Sequence, residues 1–256
     1  MHRDSSKQIW NQFWENKREV ENVYSNADRI HENLKQVIDL KGKRILEVGA
    51  GTARDSFKLI DDGAYVYVLD YSPQAMEIIS GLNRNGSSRI QPILGDAFHI
   101  PAPDNSFDVV FHQGLLEHFR EPIGILQENV RVLKKGGVLL VDVPQKFHIY
   151  TAIKHFLIFI NKWFAGWETE FTITELPQLV ERSQVKVVHK YGSWMRPSLF
   201  YRIAREVLMK LKIQLPLYPQ GFKAVRKIRN SVRQRFIRSK WAFYTFLDIG
   251  IIAKKE

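Results

Sequence analysis

The chain has 256 residues, 45% of them hydrophobic, so it can bury the core of one sizeable domain and is neither disordered nor fibrous. It has no cysteine, which excludes disulfides and thiolate metal sites, and no other metal site is predicted. The start of the sequence has no signal-peptide pattern, which predicts a cytoplasmic protein. The net charge of +11 is uneven, because residues 190–256 hold 16 Lys and Arg against 3 Asp and Glu, while the rest carries −2.

Residues 5–39 carry apolar side chains at helical spacing and predict two helices. From there the pattern alternates between strands and helices. The predicted strands are 43–48, 64–70, 90–94, 107–111, 137–143, 185–189 and 244–253. The predicted helices after the first strand are 55–61, 73–82, 122–133, 149–167, 172–180 and two within 198–241. Repeated strand–helix–strand units predict an α/β fold with a doubly wound, Rossmann-like parallel sheet.

A glycine turn directly follows the first strand. Gly49 and Gly51 open the next helix, and their lack of a side chain lets backbone amides approach a ligand closely. Asp70 ends the second strand, where a ribose-binding carboxylate is expected. Arg54 stands where a dinucleotide fingerprint requires a small residue. The pattern therefore indicates an adenosine cofactor and weakens the interpretation as a dinucleotide-binding protein.

Two further carboxylates favour S-adenosylmethionine. Glu47 lies two residues before the glycine turn, near where the ammonium of a methionine moiety would sit. Asp96 follows the third strand, where a carboxylate can accept the exocyclic amine proton of adenine.

Taken together, five blocks resemble the class I S-adenosylmethionine-dependent methyltransferases, in the broad group that includes the quinone-ring methyltransferases. The blocks are Ile45-Leu46-Glu47-Val48-Gly49-Ala50-Gly51-Thr52, Leu69-Asp70-Tyr71-Ser72, Gly95-Asp96-Ala97, Phe107-Asp108-Val109-Val110 with Leu115-Leu116-Glu117-His118, and Leu133-Lys134-Lys135-Gly136-Gly137-Val138-Leu139. The resemblance covers residues 43 to about 145. It implies S-adenosylmethionine as cofactor and a seven-stranded sheet with one antiparallel strand, 244–253.

The resemblance also implies roles for individual residues. Glu47, Gly49, Ala50 and Gly51 would surround the methionine part, and backbone near Gln113 would accept a hydrogen bond from its ammonium. Asp70 would hold the ribose hydroxyls. Tyr71, Asp96 and Ala97 would contact the adenine. Ala53 departs from the family, where a third glycine is common, and we expect binding to survive this small side chain.

The resemblance implies a single domain over 1–256. Its parts would be an N-terminal helical cap at 1–40, a cofactor-binding core at 41–146, an aromatic insertion at 147–170, a basic helical insertion at 198–242 and the last strand at 243–256.

Methyl transfer from a sulfonium needs alignment and exclusion of water more than charge stabilisation, so a missing catalytic triad does not argue against an enzyme. A base is needed only when the acceptor loses a proton. His148, which follows the fifth strand, is the predicted catalytic base, and the alternative is that it caps a helix or faces solvent. For the pair Glu117 and His118 the sequence favours packing or fixing a loop.

Two late segments bear on the acceptor. The predicted 149–167 helix is apolar nearly all round, which favours core packing, a hydrophobic acceptor tunnel or contact with a bilayer surface. Its most apolar run, 156–160, is too short to span a membrane. The basic 222–241 helix can lie on an anionic membrane, bind nucleic acid or present a solvated face.

The main interpretation is therefore a methyltransferase for a hydrophobic or lipid-linked acceptor, such as a quinone or a lipid, bound peripherally at the inner membrane face. Three alternatives stay open at this point. They are a soluble small-molecule methyltransferase of secondary metabolism, an RNA-modifying methyltransferase and a non-catalytic cofactor-binding protein.

Overall fold

The computed structural model describes residues 6–16, 28–84, 90–219, 223–237 and 239–256. The strands are β1 Arg44–Val48, β2 Tyr65–Asp70, β3 Ile90–Leu94, β4 Phe107–Gln113, β5 Leu133–Pro144, β6 Val185–Ser193 and β7 Asp248–Lys255. The α-helices are α1 Lys7–Asn16, α2 Arg29–Lys35, α3 Arg54–Asp61, α4 Pro73–Arg84, α5 Ile123–Val132, α6 Ile149–Phe159, α7 Glu175–Glu181, α8 Leu199–Lys210 and α9 Lys223–Phe236.

The seven strands form one sheet in the order β3-β2-β1-β4-β5-β7-β6. The first five strands pair in parallel, and β7 runs antiparallel to both β5 and β6. This confirms the predicted α/β class, the doubly wound sheet and its single reversed strand. The strand order changes direction between β1 and β4, and in such sheets ligands bind beyond the carboxyl ends of the strands at this point.

The core lies on both faces of the sheet. Neighbouring residues of β1 face opposite sides, with Leu46 packing in the cluster under α5 and α7 and Ile45 in the cluster under α2 and α3. Such burial on both faces is typical of parallel strands and explains their near-continuous apolar sequences.

Buried charge fixes α2 against the sheet. The Arg29 guanidinium donates to Asp142 Oδ1 at 2.7 Å, to Asp248 Oδ2 at 2.5 Å and to Ser193 Oγ at 2.7 Å. Since removing one partner of a buried pair leaves the other charge uncompensated, these contacts tie α2 to β5, β6 and β7.

The predicted starts of two strands were wrong by four residues, and β6 runs to Ser193, four residues past its predicted end. The last strand begins at Asp248, because Tyr244 closes a 3-10 turn, Lys240–Tyr244, in which the Trp241 amide donates to the Ser239 hydroxyl. β5 begins at Leu133, and it absorbs the extra residues before 137 in an irregularity where Gly136 takes a φ of +71°.

The expectation that the 149–167 helix packs in the core was also wrong. α6 ends at Phe159, and Asn161 leaves it with a left-handed φ of +54°. The buried residues of α6 are Thr151, Lys154 and Ile158, whereas Ile149, Ile153, Phe156 and Phe159 are exposed. Among the described residues, no helix combines the length and the apolar character needed to cross a membrane.

The two helices of the basic insertion are present within the described residues. α8 buries none of its side chains. α9 ends at Phe236, five residues before the predicted end, and part of the predicted 222–241 helix lies outside the described residues. Near the end of α9, the ring of Phe236 contacts the Trp194 ring with centroids 6.2 Å apart, and Arg233 lies over the same Trp194 ring at 5.5 Å.

Candidate active site

A cleft with a volume of about 680 Å³ opens at the carboxyl ends of the first four strands. All nine residues predicted to bind the cofactor line it: Glu47, Gly49, Ala50, Gly51, Asp70, Tyr71, Asp96, Ala97 and Gln113. The structure thus brings together residues that lie up to 66 positions apart in the chain. The group that each of them contacts on a cofactor stays a prediction.

The glycine turn forms a close-fitting floor for the cleft. Gly49 and Gly51 have φ values of +69° and +54°, a region that favours glycine. A Cβ at Gly51 would lie 2.5 Å from Cζ2 of Trp14, and a Cβ at Gly49 would lie 2.8 Å from a methyl group of Leu115. A side chain is therefore disfavoured by conformation at both positions, and at Gly51 it would also meet the Trp14 ring.

Ala53 gives a physical reason for the third glycine of the family. It precedes α3 and takes a φ of +53° and a ψ of +29°. This left-handed conformation is energetically unfavourable for any residue that carries a Cβ. The chain accepts this conformation with the smallest side chain that carries a Cβ.

Asp70 is held rigidly at the end of β2. Its Oδ2 accepts from the Gly51 amide and its Oδ1 from the Ser72 amide, both at 2.9 Å. Burial raises the pKa of the Asp70 carboxyl, while these amides oppose the rise. Each oxygen keeps a further lone pair, so the carboxylate can still accept from two ribose hydroxyls.

Glu47 makes this end of the cleft suited to a cation. Its side chain is buried and accepts from the Ser56 hydroxyl at 2.5 Å. Burial first, and then the charges of Asp55 and Asp70, raise the pKa of Glu47 well above its usual value. A positively charged group in the cleft would relieve this repulsion, whereas a pyrophosphate would add to it. The residues present therefore fit the ammonium and sulfonium of S-adenosylmethionine.

One wall of the cleft is aromatic. Trp10 and Trp14 of α1 line it together with Phe98, Leu115 and Phe119. Phe164 extends this wall outward, because its ring stacks on Phe13 of α1 at 4.7 Å and lies 5.8 Å from Trp10. α1 was not predicted to be part of the site, although the close spacing of Trp10, Phe13 and Trp14 on one predicted helix was a usable signal.

His118 is the imidazole that lines the cleft within the described residues. Its Nδ1 lies 3.8 Å from Glu168 Oε1, and its ring meets Trp10 edge-on at 4.8 Å between centroids. Glu168 is itself held by the Lys154 ammonium at 2.7 Å and by the Trp163 indole at 2.6 Å. Burial lowers the pKa of His118 to about 4 against the opposing charge of Glu168. The ring is therefore neutral near pH 7, and its partner Glu117 is buried beside it.

His148, the predicted base, does not line this cleft. It is the N-cap of α6, and its Nδ1 accepts from the Tyr150 amide at 3.1 Å. Burial lowers the pKa of its imidazole. This is the geometry of the alternative interpretation, a helix cap, and a catalytic role for His148 stays a prediction.

Comparison with known sequences gives a family match. Residues 46–141 match the model of a family described as a methyltransferase domain. The chain is 37% identical over 106 residues to a demethylmenaquinone methyltransferase of Clavibacter sepedonicus, a match that spans 41% of this chain and 42% of that protein. The chain thus spans less than half the length of this curated relative.

Solved structures give the same fold. One is a putative sarcosine dimethylglycine methyltransferase from Galdieria sulphuraria, with a TM-score of 0.63, 16% identity and 98% coverage of both chains. Another is magnesium protoporphyrin IX methyltransferase from Synechocystis PCC 6803 with bound SAH, with a TM-score of 0.59, 12% identity and coverage of 90% of this chain and 81% of that one. At these identities the likeness concerns the fold.

Proposed function

We propose, on the premise that residues 46–141 are a class I S-adenosylmethionine-dependent methyltransferase domain, that this protein methylates a flat hydrophobic acceptor of the quinol type. The observation that carries the proposal is that one cleft combines two kinds of surface. Buried carboxylates lie beside its glycine floor, and indole and phenyl rings form a wall of the same cleft. The match to a demethylmenaquinone methyltransferase supports this class of acceptor.

The chain's own residues supply alignment and exclusion of water. S-adenosylmethionine, when bound, supplies a methyl group on a positively charged sulfur. Trp10 and Trp14 cover the cleft from α1, with Trp14 packed against Gly51, so a planar ring held beside this wall is shielded from competing water. Rings of this kind recognise flat aromatic ligands through offset stacking and edge contacts.

A quinol loses a proton when it is methylated, and a nearby ring nitrogen can accept it. His118 is neutral, faces the cleft and has Glu168 behind it, so a proton gained by its ring is stabilised by that carboxylate. His148 lies away from the cleft and already uses Nδ1 as a cap. Between the two histidines, the geometry favours His118 as the base.

A quinone with a lipid tail resides in a membrane, so we place the protein peripherally at the inner membrane face. The exposed cations Lys227, Arg229 and Arg235 of α9 support the predicted attraction of the 222–241 segment to an anionic surface. The same cations would serve an RNA substrate by neutralising phosphates, and that alternative is an outcome of the test below.

The test is incubation of the protein with methyl-labelled S-adenosylmethionine and separate acceptors: a short-chain demethylated quinol, a bacterial lipid extract, bulk tRNA and a set of polar small molecules. We expect label in the quinol and in a quinone fraction of the extract. Label only in tRNA or in polar molecules would overturn the acceptor class. Binding of the cofactor in calorimetry with no transfer to any acceptor would instead favour the non-catalytic interpretation.

A further inference from the structure

The polarity of α6 is inverted relative to a normal surface helix. Its apolar residues Ile149, Ile153, Phe156 and Phe159 follow one another at three- or four-residue steps, which places them on one face. That face is open to solvent, with Phe156 62% and Phe159 71% exposed. The opposite face, which carries Lys154, is buried against the domain.

Buried charge sets this orientation. The Lys154 side chain is only 2% exposed, and its ammonium lies 2.7 Å from Glu168 Oε2 and 2.9 Å from Glu170 Oε1. His155 also bonds to Glu170. Turning the apolar face inward would pull Lys154 away from two buried carboxylates, which is strongly unfavourable. The exposure of the phenylalanines is therefore built into the fold.

The exposed apolar surface continues beyond α6. Phe147, just before α6, lies 5.7 Å from Tyr244, and Tyr244 lies 6.2 Å from Trp241, between ring centroids in both contacts. All three rings are largely exposed. We call this surface the apolar band: Phe147, Ile149, Ile153, Phe156, Phe159, Trp241 and Tyr244.

A group of cations is linked to the apolar band through Trp194. Arg233 lies over the Trp194 ring at 5.5 Å, and the Trp194 indole donates to the hydroxyl of Thr245, the residue after Tyr244, at 3.0 Å. Arg196 and Arg229 lie close enough to Arg233 to lower its pKa, after the larger effect of burial. None of the ion pairs found among the described residues includes any of these three side chains. We call them the arginine cluster. Residues 196–240 as a whole hold 13 Lys and Arg against the single acidic residue Glu206.

We propose that the apolar band and the arginine cluster together dock this protein on an anionic phospholipid bilayer. α6 lies in the interface with its phenylalanines among the acyl chains, and the arginines bind lipid phosphates. A nucleic acid would leave the aliphatic and phenyl face of α6 unused. A second copy would bring two strongly basic surfaces together, which opposes association.

Docking in this way also explains how a lipid-linked acceptor reaches the cleft, and this part rests on the proposed function. Phe164, which follows α6, stacks on Phe13 and contacts Trp10 at the aromatic wall of the cleft. Phe164 also lies 5.1 Å from Trp163, which lies 6.3 Å from Tyr150 of α6, so a series of ring contacts leads from α6 to the aromatic wall of the cleft. We infer that the acceptor enters the cleft from the bilayer past Phe164.

Because the chain has no cysteine, a single introduced cysteine gives a unique label. The test places an environment-sensitive dye on Phe159→Cys and, as a control, on Glu77→Cys, an exposed position of α4. Vesicles of phosphatidylcholine alone and mixed with phosphatidylglycerol are titrated in. We expect a blue shift at 159 with the anionic vesicles and none at 77. An unchanged spectrum at 159 overturns the proposal.

Unlabelled variants separate the two parts of the surface. We expect Phe156→Glu to abolish most vesicle binding, while Tyr65→Glu, 58% exposed at the amino end of β2, leaves it unchanged. Arg196→Gln and Arg229→Gln should each weaken binding about fivefold, as expected for one cation near an anionic surface. Thermal melts check that each variant folds. Equal loss in the Tyr65 and Phe156 variants would contradict a localised surface.

Two further outcomes would replace the bilayer by another partner. If sedimentation shows a dimer that Phe156→Glu converts to a monomer, the apolar band is a contact between copies. If RNA binds through the arginines and the dye at 159 never shifts, the cluster serves nucleic acid. Methylation of a short-chain quinol without vesicles is measured in parallel, because its failure would overturn the proposed function while leaving vesicle docking as a separate result.

Discussion

The cleft and the late helices handle charge in opposite ways. Around the cleft, apolar side chains fill the interior, and buried carboxylates such as Glu47 and Asp70 face a cavity where a cation can bind. In α6, the charge of Lys154 is buried, and the apolar side chains are outside. The comparison teaches that buried charge serves binding in the first region and orientation in the second. It also gives each region a distinct experimental signature.

The largest expected effect is a loss of stability when the buried charge that orients α6 is removed. Lys154→Ala should lower the free energy of unfolding by about 3–5 kcal/mol, because it leaves buried carboxylates without their cation. Phe156→Ala on the same helix should change it by no more than about 0.5 kcal/mol, because that side chain is mostly exposed. Urea denaturation of both variants measures the difference. Similar losses for the two would contradict the inverted polarity.

The next effect concerns the two histidines. His118→Gln should lower kcat on a short-chain quinol about 100-fold, the usual range for loss of a general base, with cofactor affinity nearly unchanged. His148→Gln should keep kcat and lose about 1 kcal/mol of stability through its cap. A kcat loss confined to the His148 variant would instead support the sequence prediction.

The pH profile of the wild-type enzyme sharpens this test. Because burial lowers the pKa of His118 to about 4, its imidazole stays neutral from pH 8 down to about 5. We expect kcat/KM to show no fall in that interval that depends on His118. An inflection near the ordinary histidine pKa of about 6.5, absent from the His118 variant, would contradict the buried environment.

A smaller effect tests the cofactor end. Asp70→Ala should weaken S-adenosylmethionine about tenfold in calorimetry, since it removes a rigid, nearly buried acceptor of hydroxyl protons. Asp96→Ala should cost less, because the Asp96 side chain is 61% exposed and competes with water. Equal affinities for the wild type and the Asp70 variant would remove the ribose assignment.

The smallest expected effect concerns Glu47, where one substitution should raise the stability of the protein and lower its affinity for the cofactor. Its folded pKa is raised above the unfolded value of 4.5, so the folded state holds the extra proton and stability falls as the pH rises above 4.5. Glu47→Gln should remove this fall and stabilise the ligand-free protein at pH 7 by about 1 kcal/mol, as at other functional sites. The same change should weaken the cofactor a few-fold. Melting curves at pH 5 and pH 8 and calorimetry provide the readouts.

The sequence predicted the cleft well because its signals are local. Gly49 and Gly51 are recognisable in the sequence as a turn and form that turn with positive φ values, and the position of Asp70 follows from the strand that it ends. The order of the parallel strands then gathers these residues at one edge. The role of α1 was missed because nothing in the sequence near Trp10 and Trp14 indicates which strands they cover.

The late helices were harder to predict for a physical reason. Apolar spacing identified α6 as a helix, but the side that it buries depends on Lys154 meeting Glu168 and Glu170, which lie 14 and 16 residues further along the chain. Hydrophobicity alone favoured the opposite face. For His118 and His148, strand order alone could not show which ring reaches the cleft and which caps a helix.

The basic insertion has a consequence for handling the protein away from any bilayer. Exposed rings such as those of Phe156 and Phe159 invite self-association, and the positive surface provides colloidal repulsion that counters it. Electrostatic screening shortens the reach of that repulsion from about 10 Å in 0.1 M salt to about 3 Å in 1 M salt. Concentrating the purified protein in molar salt should therefore drive precipitation, and dilute buffer should reverse it.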